Sequence, residues 1–560
     1  MKFTEMPYQR PDDERMEQRY RTMAEEAAAC TGTAALTALI DEHEQIAKEY
    51  RTMESLAYIR HSVDTTDPFY EGEMAFFDAR GPIFAEAQKA FKRALAAHPL
   101  RSGLEEEIGP LFFKNLEIEL RTSSEKSVPL QQRDNEICTA YEKLLASASI
   151  PFRGGDYNLS EIQSFQLSSD RETRKAAWEA TAGFFTAHAE ELDKMYDELV
   201  HNRDEQARLL GYPSYLRLGY DRMGRNCYGP EEVRRFREQI VRDAVPVAAR
   251  IKAAQAARLG IERTMYYDNG NVFPDGNPKP AGGEAEILDA ARGVYHRMGE
   301  ETGSFFDYME ANGLFDLKSR KGKQTGGYCT SLPLYGSPFI FANFNGTAGD
   351  VGVLTHEGGH ALQSYMARDQ RFLEYAEAPM ETCETHSMSM ELFCARFAKD
   401  FFGPDTGKFL RYQLEDAFCF LPYGCMVDEF QEIVYETPSL TPKERKQTWA
   451  RLEKKYRPWI SFDGVPFFED GGYQRQHHIY SAPLYYIDYC LAQTAALSFW
   501  TQSLQDWEGA FARYLRFTRA GGTKTFTELL TEAGLPSPFE EGGVRAVCEQ
   551  VERYLAALPE

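Results

Sequence analysis

Along most of this chain, apolar residues return every third or fourth position, and that period predicts helices. The pattern is clearest over 12–29, 34–60, 69–97, 130–147, 170–210 and 230–259, where Glu, Lys and Arg fill the intervening positions. The expected fold is therefore mainly α. No stretch recurs at a fixed period, so a solenoid is not expected. Two segments interrupt the helical texture. PFRGGDYNLSEI (151–162) combines Pro, Gly and Asn with a Ser suited to capping the next helix. It places a soft boundary between an N-terminal helical region, 1–155, and a second region, 156–560. DNGNVFPDGNPKPAGG (268–283) is rich in Pro, Gly and Asn and reads as an insertion loop.

The texture changes again at GYCTSLPLYGSPFIFANFNGTAGD (327–350), where aromatic and β-favouring residues sit between turn formers. FIFANF (339–344) is the best strand candidate in the chain. Asn345-Gly346 turns the chain, and Asp350 is placed to cap the helix that follows. A small β element thus leads into that helix. As an edge strand it can hold an extended peptide by main-chain hydrogen bonds; as a plain hairpin it is only structural. Both readings stand.

Composition narrows the class. With 43% hydrophobic and 27% charged residues the 560-residue chain can bury a large core. No apolar run is long enough to span a membrane. Sixty-three basic against eighty-six acidic residues leave a net charge of −23, which disfavours nucleic acid and anionic lipid as partners. The ten cysteines lack CxxC spacing and the N-terminus has no apolar leader. A cytoplasmic protein with free thiols is expected. Oligomeric state is not legible.

The helix after the strand carries HEGGH at 356–360. His356 and His360 lie one turn apart on one face and can share a metal ion, with Glu357 beside them to act on water. Such a string arises by chance in about one chain in a hundred of this length, so its context has to carry the reading. A catalytic zinc takes three protein ligands and leaves one position open. A third histidine at the metzincin spacing is absent, because Gln363 and Met366 hold those positions. Carboxylates remain. From about Met380 a second helix is predicted, with Glu381, Glu384, Ser387 and Glu391 on one face. A solvated acidic face is the plainer reading, yet Met388, Met390, Leu392 and Phe393 mark this helix as buried. Physical chemistry alone does not choose between Glu381 and Glu384. Gly358 and Gly359 are costly inside a helix and imply that a peptide or a neighbouring helix approaches closely. His386, two positions after Glu384, should point away from that face.

HEGGHALQ followed by Glu384-Thr-His-Ser387-Met-Ser-Met-Glu391 resembles the thimet oligopeptidase and oligoendopeptidase F family of zinc metallopeptidases. MKFTEMPYQRPD and RHSVDTTDPFY, near the N-terminus, are similar to the oligoendopeptidase F branch. The resemblance makes Glu384 the third ligand of one Zn2+ ion, with His356 and His360, and makes Glu357 the proton carrier. FEDGGYQRQHHIYSAPLYYIDYCLAQ (468–493) resembles the family's Gly-rich loop and its His- and Tyr-rich segment. It implies that His478 and Tyr486 or Tyr489 contact the reacting carbonyl, with His477 and Tyr485 as alternatives. Aromatic core packing is the plainer reading of such a helix. The family also implies two helical lobes around a deep channel, the region 156–560 as the catalytic part, and short unstructured peptides as substrates cut at internal bonds. Two other functions stay open: a peptidyl-dipeptidase similar to angiotensin-converting enzyme, and a helical binding protein in which HEGGH is accidental.

Overall fold

A computed structural model describes residues 1–324 and 326–558. It is 72% helical, as the periodicity requires. Helices Asp13–Ala29, Thr33–Val63, Pro68–Ala96 and Val128–Ala146 fall where the apolar spacing puts them. The stretch 170–210 is two helices, Arg171–Ala187 and Ala189–Leu209, which meet at His188. No Gly or Pro marks that break. The stretch 230–259 contains a π turn at Ile240–Ala244, between Pro230–Gln239 and Val245–Arg258. Pro246 has no N–H to give an α-helical bond, and the wider turn absorbs the defect.

Five short strands complete the secondary structure among the described residues. β1 (Ile150–Phe152) and β2 (Gly155–Tyr157) form a hairpin inside the 151–162 interruption. Its turn residues Arg153 and Gly154 both have positive φ, 48° and 83°, as a tight hairpin turn demands. β3 (Phe315–Lys318), β4 (Tyr328–Leu332) and β5 (Ser337–Phe344) form a sheet in the order β3-β5-β4, with β3 parallel and β4 antiparallel to β5. FIFANF therefore belongs to a central strand, not an edge. Residues 337–342 are all buried, and a continuous apolar run suits a strand covered on both faces. The edge strand of that antiparallel pair is β4.

The chain divides into two compact units. The first comprises Met1–Leu120, Lys279–Pro404 and Gln502–Leu535. Its N-terminal helices enclose an apolar core that includes Tyr20, Met23, Leu36, Ile40, Phe84 and Phe91, and Phe372 joins it from later in the chain. The three-stranded sheet lies in this unit and packs against the HEGGH helix, Ala348–Ala367. The second unit comprises Arg121–Pro278, Asp405–Thr501 and Pro536–Glu560. Its interior is aromatic, with Tyr196, Phe430, Trp449, Tyr473 and Tyr480 almost fully buried. It also buries Arg203, which is held by Asp134, the Tyr435 hydroxyl and the Tyr480 carbonyl. Among the described residues no helix is long and apolar enough to cross a membrane.

Candidate metal centre

The HEGGH helix begins at Ala348 after the turn at Gly346. Asp350 is not its N-cap residue. It sits one turn inside and reaches back, accepting the amides of Asn345 (2.9 Å) and Gly346 (2.7 Å). This ties the end of β5 to the helix start, and an acid there also suits the helix dipole.

His356 and His360 point to one side, with ring centroids 5.0 Å apart. Glu384 arrives from the helix Met380–Cys394. Its Oε2 lies 3.4 Å from His356 Nε2 and 3.6 Å from His360 Nε2. Ligand atoms around a tetrahedral Zn2+ at 2.0–2.1 Å stand about 3.4 Å apart. The donor set therefore fits that ion in both chemistry and spacing. Among the described residues, His356, His360 and Glu384 are the group with these properties. Glu381 is buried on the same helix but outside the convergent group.

The supports of this triad are visible. His356 Nδ1 lies 2.7 Å from Glu391 Oε1, so Nδ1 carries the proton and the Nε2 lone pair would be free for an ion. The Ser387 hydroxyl lies 3.1 Å from Glu384 Oε2 and steadies that carboxylate. Burial opposes protonation of His356, but its hydrogen bonds to Glu384 and Glu391 prevail and raise its pKa well above the ordinary value. Burial also resists the charge on Glu384, yet the two imidazoles hold it well below the usual carboxylate range. Glu357 is pushed up by burial, against the pull of His356 and His360. Its carboxyl thus holds a proton more readily than an exposed one, which suits a group that must take and return it.

The two glycines serve neighbouring protein rather than a passing peptide. A Cβ on Gly359 would lie 2.6 Å from the His386 carbonyl oxygen and 2.6 Å from Ser387 Cα. One on Gly358 would lie 2.2 Å from the Tyr295 hydroxyl. Gly359 thus sets how closely the Glu384 helix approaches. Ordinarily Gly→Ala in a helix gains up to about 1 kcal/mol. Here Gly359→Ala should cost about 1–3 kcal/mol through overpacking and weaken metal binding, measured by thermal melts and zinc titration. His386 points away, as expected, with its ring against Phe517 at 5.3 Å and its carbonyl accepting from Tyr514. Burial lowers its pKa to about 3, so it stays neutral.

The segment between the HEGGH helix and the Glu384 helix carries a half-buried acid. Glu374 accepts from Asn115 Nδ2 at 2.6 Å, and Leu373 donates its amide to Glu44. Burial raises Glu374 to about 7, with Glu44 and Glu119 adding to the rise and Asn115 and Lys92 opposing it. Its ordinary value is 4.5, so the folded chain holds this proton more tightly than the unfolded one. The stabilisation is complete below about 4.5 and drains away as pH rises through about 7. Glu374→Gln should therefore stabilise the protein by about 1–2 kcal/mol at pH 8, a shift discounted for partial exposure. Melts at pH 4.5 should register no gain.

The His- and Tyr-rich segment lies in the second unit. His478 belongs to a short helix, His477–Ser481, while Tyr486 and Tyr489 lie on Tyr486–Gln505. The His478 ring is 5.0 Å from Tyr486 and 5.9 Å from both Tyr485 and Tyr489. These four side chains form one cluster. His477 instead faces Glu142 at 3.1 Å.

Two residues that carry no sequence signal orient His478. Tyr423 donates its hydroxyl to Gln476 Oε1 at 2.7 Å, and the amide nitrogen of Gln476 lies 3.0 Å from His478 Nδ1. That arrangement makes Nδ1 the acceptor and leaves the proton on Nε2 as a donor. The tyrosines are aimed by an unusual turn. Leu484 has φ 67°. Its amide donates to Gln431 Oε1 at 2.8 Å, and its carbonyl accepts from Arg225 at 2.5 Å. Arg225 is also paired with Asp488 in full burial.

Two family models match the chain: the peptidase M3 N-terminal domain over residues 3–123, and peptidase family M3 over 164–272 and 293–548. The gap between the latter two matches takes in most of the Pro-, Gly- and Asn-rich loop. Oligopeptidase PepF of Bacillus subtilis (strain 168) is 23% identical over 90% of this chain and 78% of its own length. A structure of Pz peptidase A with an inhibitor is 43% identical, covers 99% of both chains and superposes with a TM-score of 0.94. A Bacillus anthracis (strain Ames) structure assigned to oligoendopeptidase F is 40% identical, over 100% of this chain and 98% of that one, with a TM-score of 0.89.

Proposed function

Since the chain belongs to peptidase family M3, in its oligoendopeptidase F branch, and is a metallopeptidase acting on oligopeptides, we propose that it uses one Zn2+ held by His356, His360 and Glu384. The observation that carries this reading is the approach of Glu384 Oε2 to both Nε2 atoms at 3.4 and 3.6 Å. An ion held there supplies Lewis acidity toward water and the scissile carbonyl.

The chain's own groups do the rest. Glu357 takes a proton from the attacking water and delivers it to the leaving amine. Glu391 keeps His356 in the tautomer that offers Nε2 outward, and Ser387 holds the Glu384 carboxylate. His478 through Nε2–H, and Tyr486 or Tyr489 through its phenol, donate to the developing oxyanion without bearing charge. The substrates are short unstructured peptides cut at internal bonds, a reading supported by the likeness to oligoendopeptidases. The compartment proposed is the cytoplasm, supported by ten cysteines that are all free thiols.

Zinc analysis joined to mass-spectrometric digestion of a peptide library tests the proposal. One zinc per chain is expected, with internal cleavage that stops on chelation and returns with zinc. Cleavage that ignores a chelator would overturn it. Peptides blocked at both ends should still be cut; their survival would favour a dipeptidase.

A further inference from the structure

Arg475 stands one residue before the glutamine that orients His478, at the end of the short helix Gly472–Arg475. The backbone there is fixed from within the second unit. Tyr473 and Gln474 are fully buried and both bond Asp193 Oδ1, at 2.7 and 2.6 Å. Arg475 itself is exposed. Its guanidinium lies over the Trp178 ring at 5.3 Å and near the Phe468 ring at 5.7 Å. Nη1 donates to the Tyr266 hydroxyl at 2.6 Å. Tyr266 in turn stacks on Phe468, with centroids 4.6 Å apart, and meets Trp178 edge-on at 5.0 Å.

Among the described residues this guanidinium has no carboxylate partner. Acids outnumber bases by 86 to 63 in the chain, although among the described residues of this unit Arg222, which bonds the Thr122 carbonyl, also has no acid partner. In the same unit Arg203, Arg225, Arg237, Arg445 and Arg457 are all paired with an Asp or Glu. Aromatic rings attract a cation and restrict its rotamers without neutralising it. Tyr266, having accepted from Arg475, keeps its own hydroxyl proton to give. Together they present a planar N–H fork and a phenolic O–H, the donor set that suits a carboxylate.

We propose that Arg475, held by Trp178, Phe468 and Tyr266, is a substrate subsite that receives a carboxylate of the peptide. This rests on the peptidase reading and adds the substrate class: peptides bearing a negative charge at a defined position. The carboxylate comes from the peptide's C-terminus or from an Asp or Glu side chain.

The test uses zinc-loaded full-length enzyme and matched internally quenched peptides. One series carries a free or an amidated C-terminus; the other walks Glu or Gln through each position. For wild type, kcat/KM should favour the acid over its amide by about tenfold at one location, chiefly through KM. The preference should shrink in high salt. In Arg475→Gln that acid-to-amide ratio should fall to about one, whereas Arg475→Lys, which keeps the charge but not the fork, should be intermediate. The ratio does not depend on how much enzyme is active, so poor folding cannot imitate the result. Whichever series carries the preference identifies the source of the carboxylate. Equal cleavage of acid and amide by wild type, or an unchanged ratio in Arg475→Gln, would overturn the subsite alone. Absence of any chelator-sensitive cleavage would overturn the peptidase reading beneath it.

Discussion

Glu357→Gln should bind zinc as tightly as wild type, melt at nearly the same temperature and yet lose about a thousandfold or more in kcat, the scale of general acid–base catalysis. The side chain is buried beside both histidines, and burial raises its pKa. It is not among the three converging donors, so the amide should leave the ligand set intact. Glutamine matches glutamate in shape but cannot carry a proton. Stopped-flow turnover together with zinc stoichiometry would check both halves. A variant that retained a tenth of the activity would remove Glu357 from its assigned role.

The second large effect concerns which carboxylate holds the metal. Glu384→Ala should weaken zinc binding by more than the 10- to 100-fold typical of an outer supporting residue, whereas Glu381→Ala should stay within that range. Both acids are buried on one helix, at 5% and 2% exposure, so burial does not separate them. The distances do: the Glu384 oxygen approaches both histidine nitrogens, and Ser387 steadies it. Competition against a fluorescent chelator reads the two affinities directly. Glu381→Ala losing more zinc than Glu384→Ala would reverse the assignment.

Much of the candidate centre was legible because its logic is local. A four-residue spacing decides that His356 and His360 share a helical face, and apolar neighbours around Glu384 announce a buried acidic helix. The choice of Glu384 over Glu381 needed either the family pattern or three dimensions, since both project from the same face. The central place of β5 was written in its unbroken apolar run, but its parallel partner β3 comes from more than twenty residues upstream and has no pairing signal. Asp350 is a cap-forming residue in the right neighbourhood, and only the backbone path reveals that it bonds backwards. Other features were not readable. Tyr423 lies more than fifty residues before the histidine it helps to orient. The positive φ of Leu484 runs against every propensity of leucine, because Arg225 and Gln431 impose it from elsewhere. The break at His188 has no local residue to mark it.

The first unit is assembled from three separated stretches of chain, the last being Gln502–Leu535. That late stretch gives the Tyr514 bond to the His386 carbonyl, and the Gly522 amide bonds the Tyr375 carbonyl between the HEGGH helix and the Glu384 helix. During synthesis, the proposed ligands His356, His360 and Glu384 leave the ribosome more than a hundred residues ahead of the segment that braces them. A nascent chain therefore carries the whole ligand set before it owns the scaffold that holds it rigid. The last braces on those three side chains are supplied only when Gln502–Leu535 joins the unit.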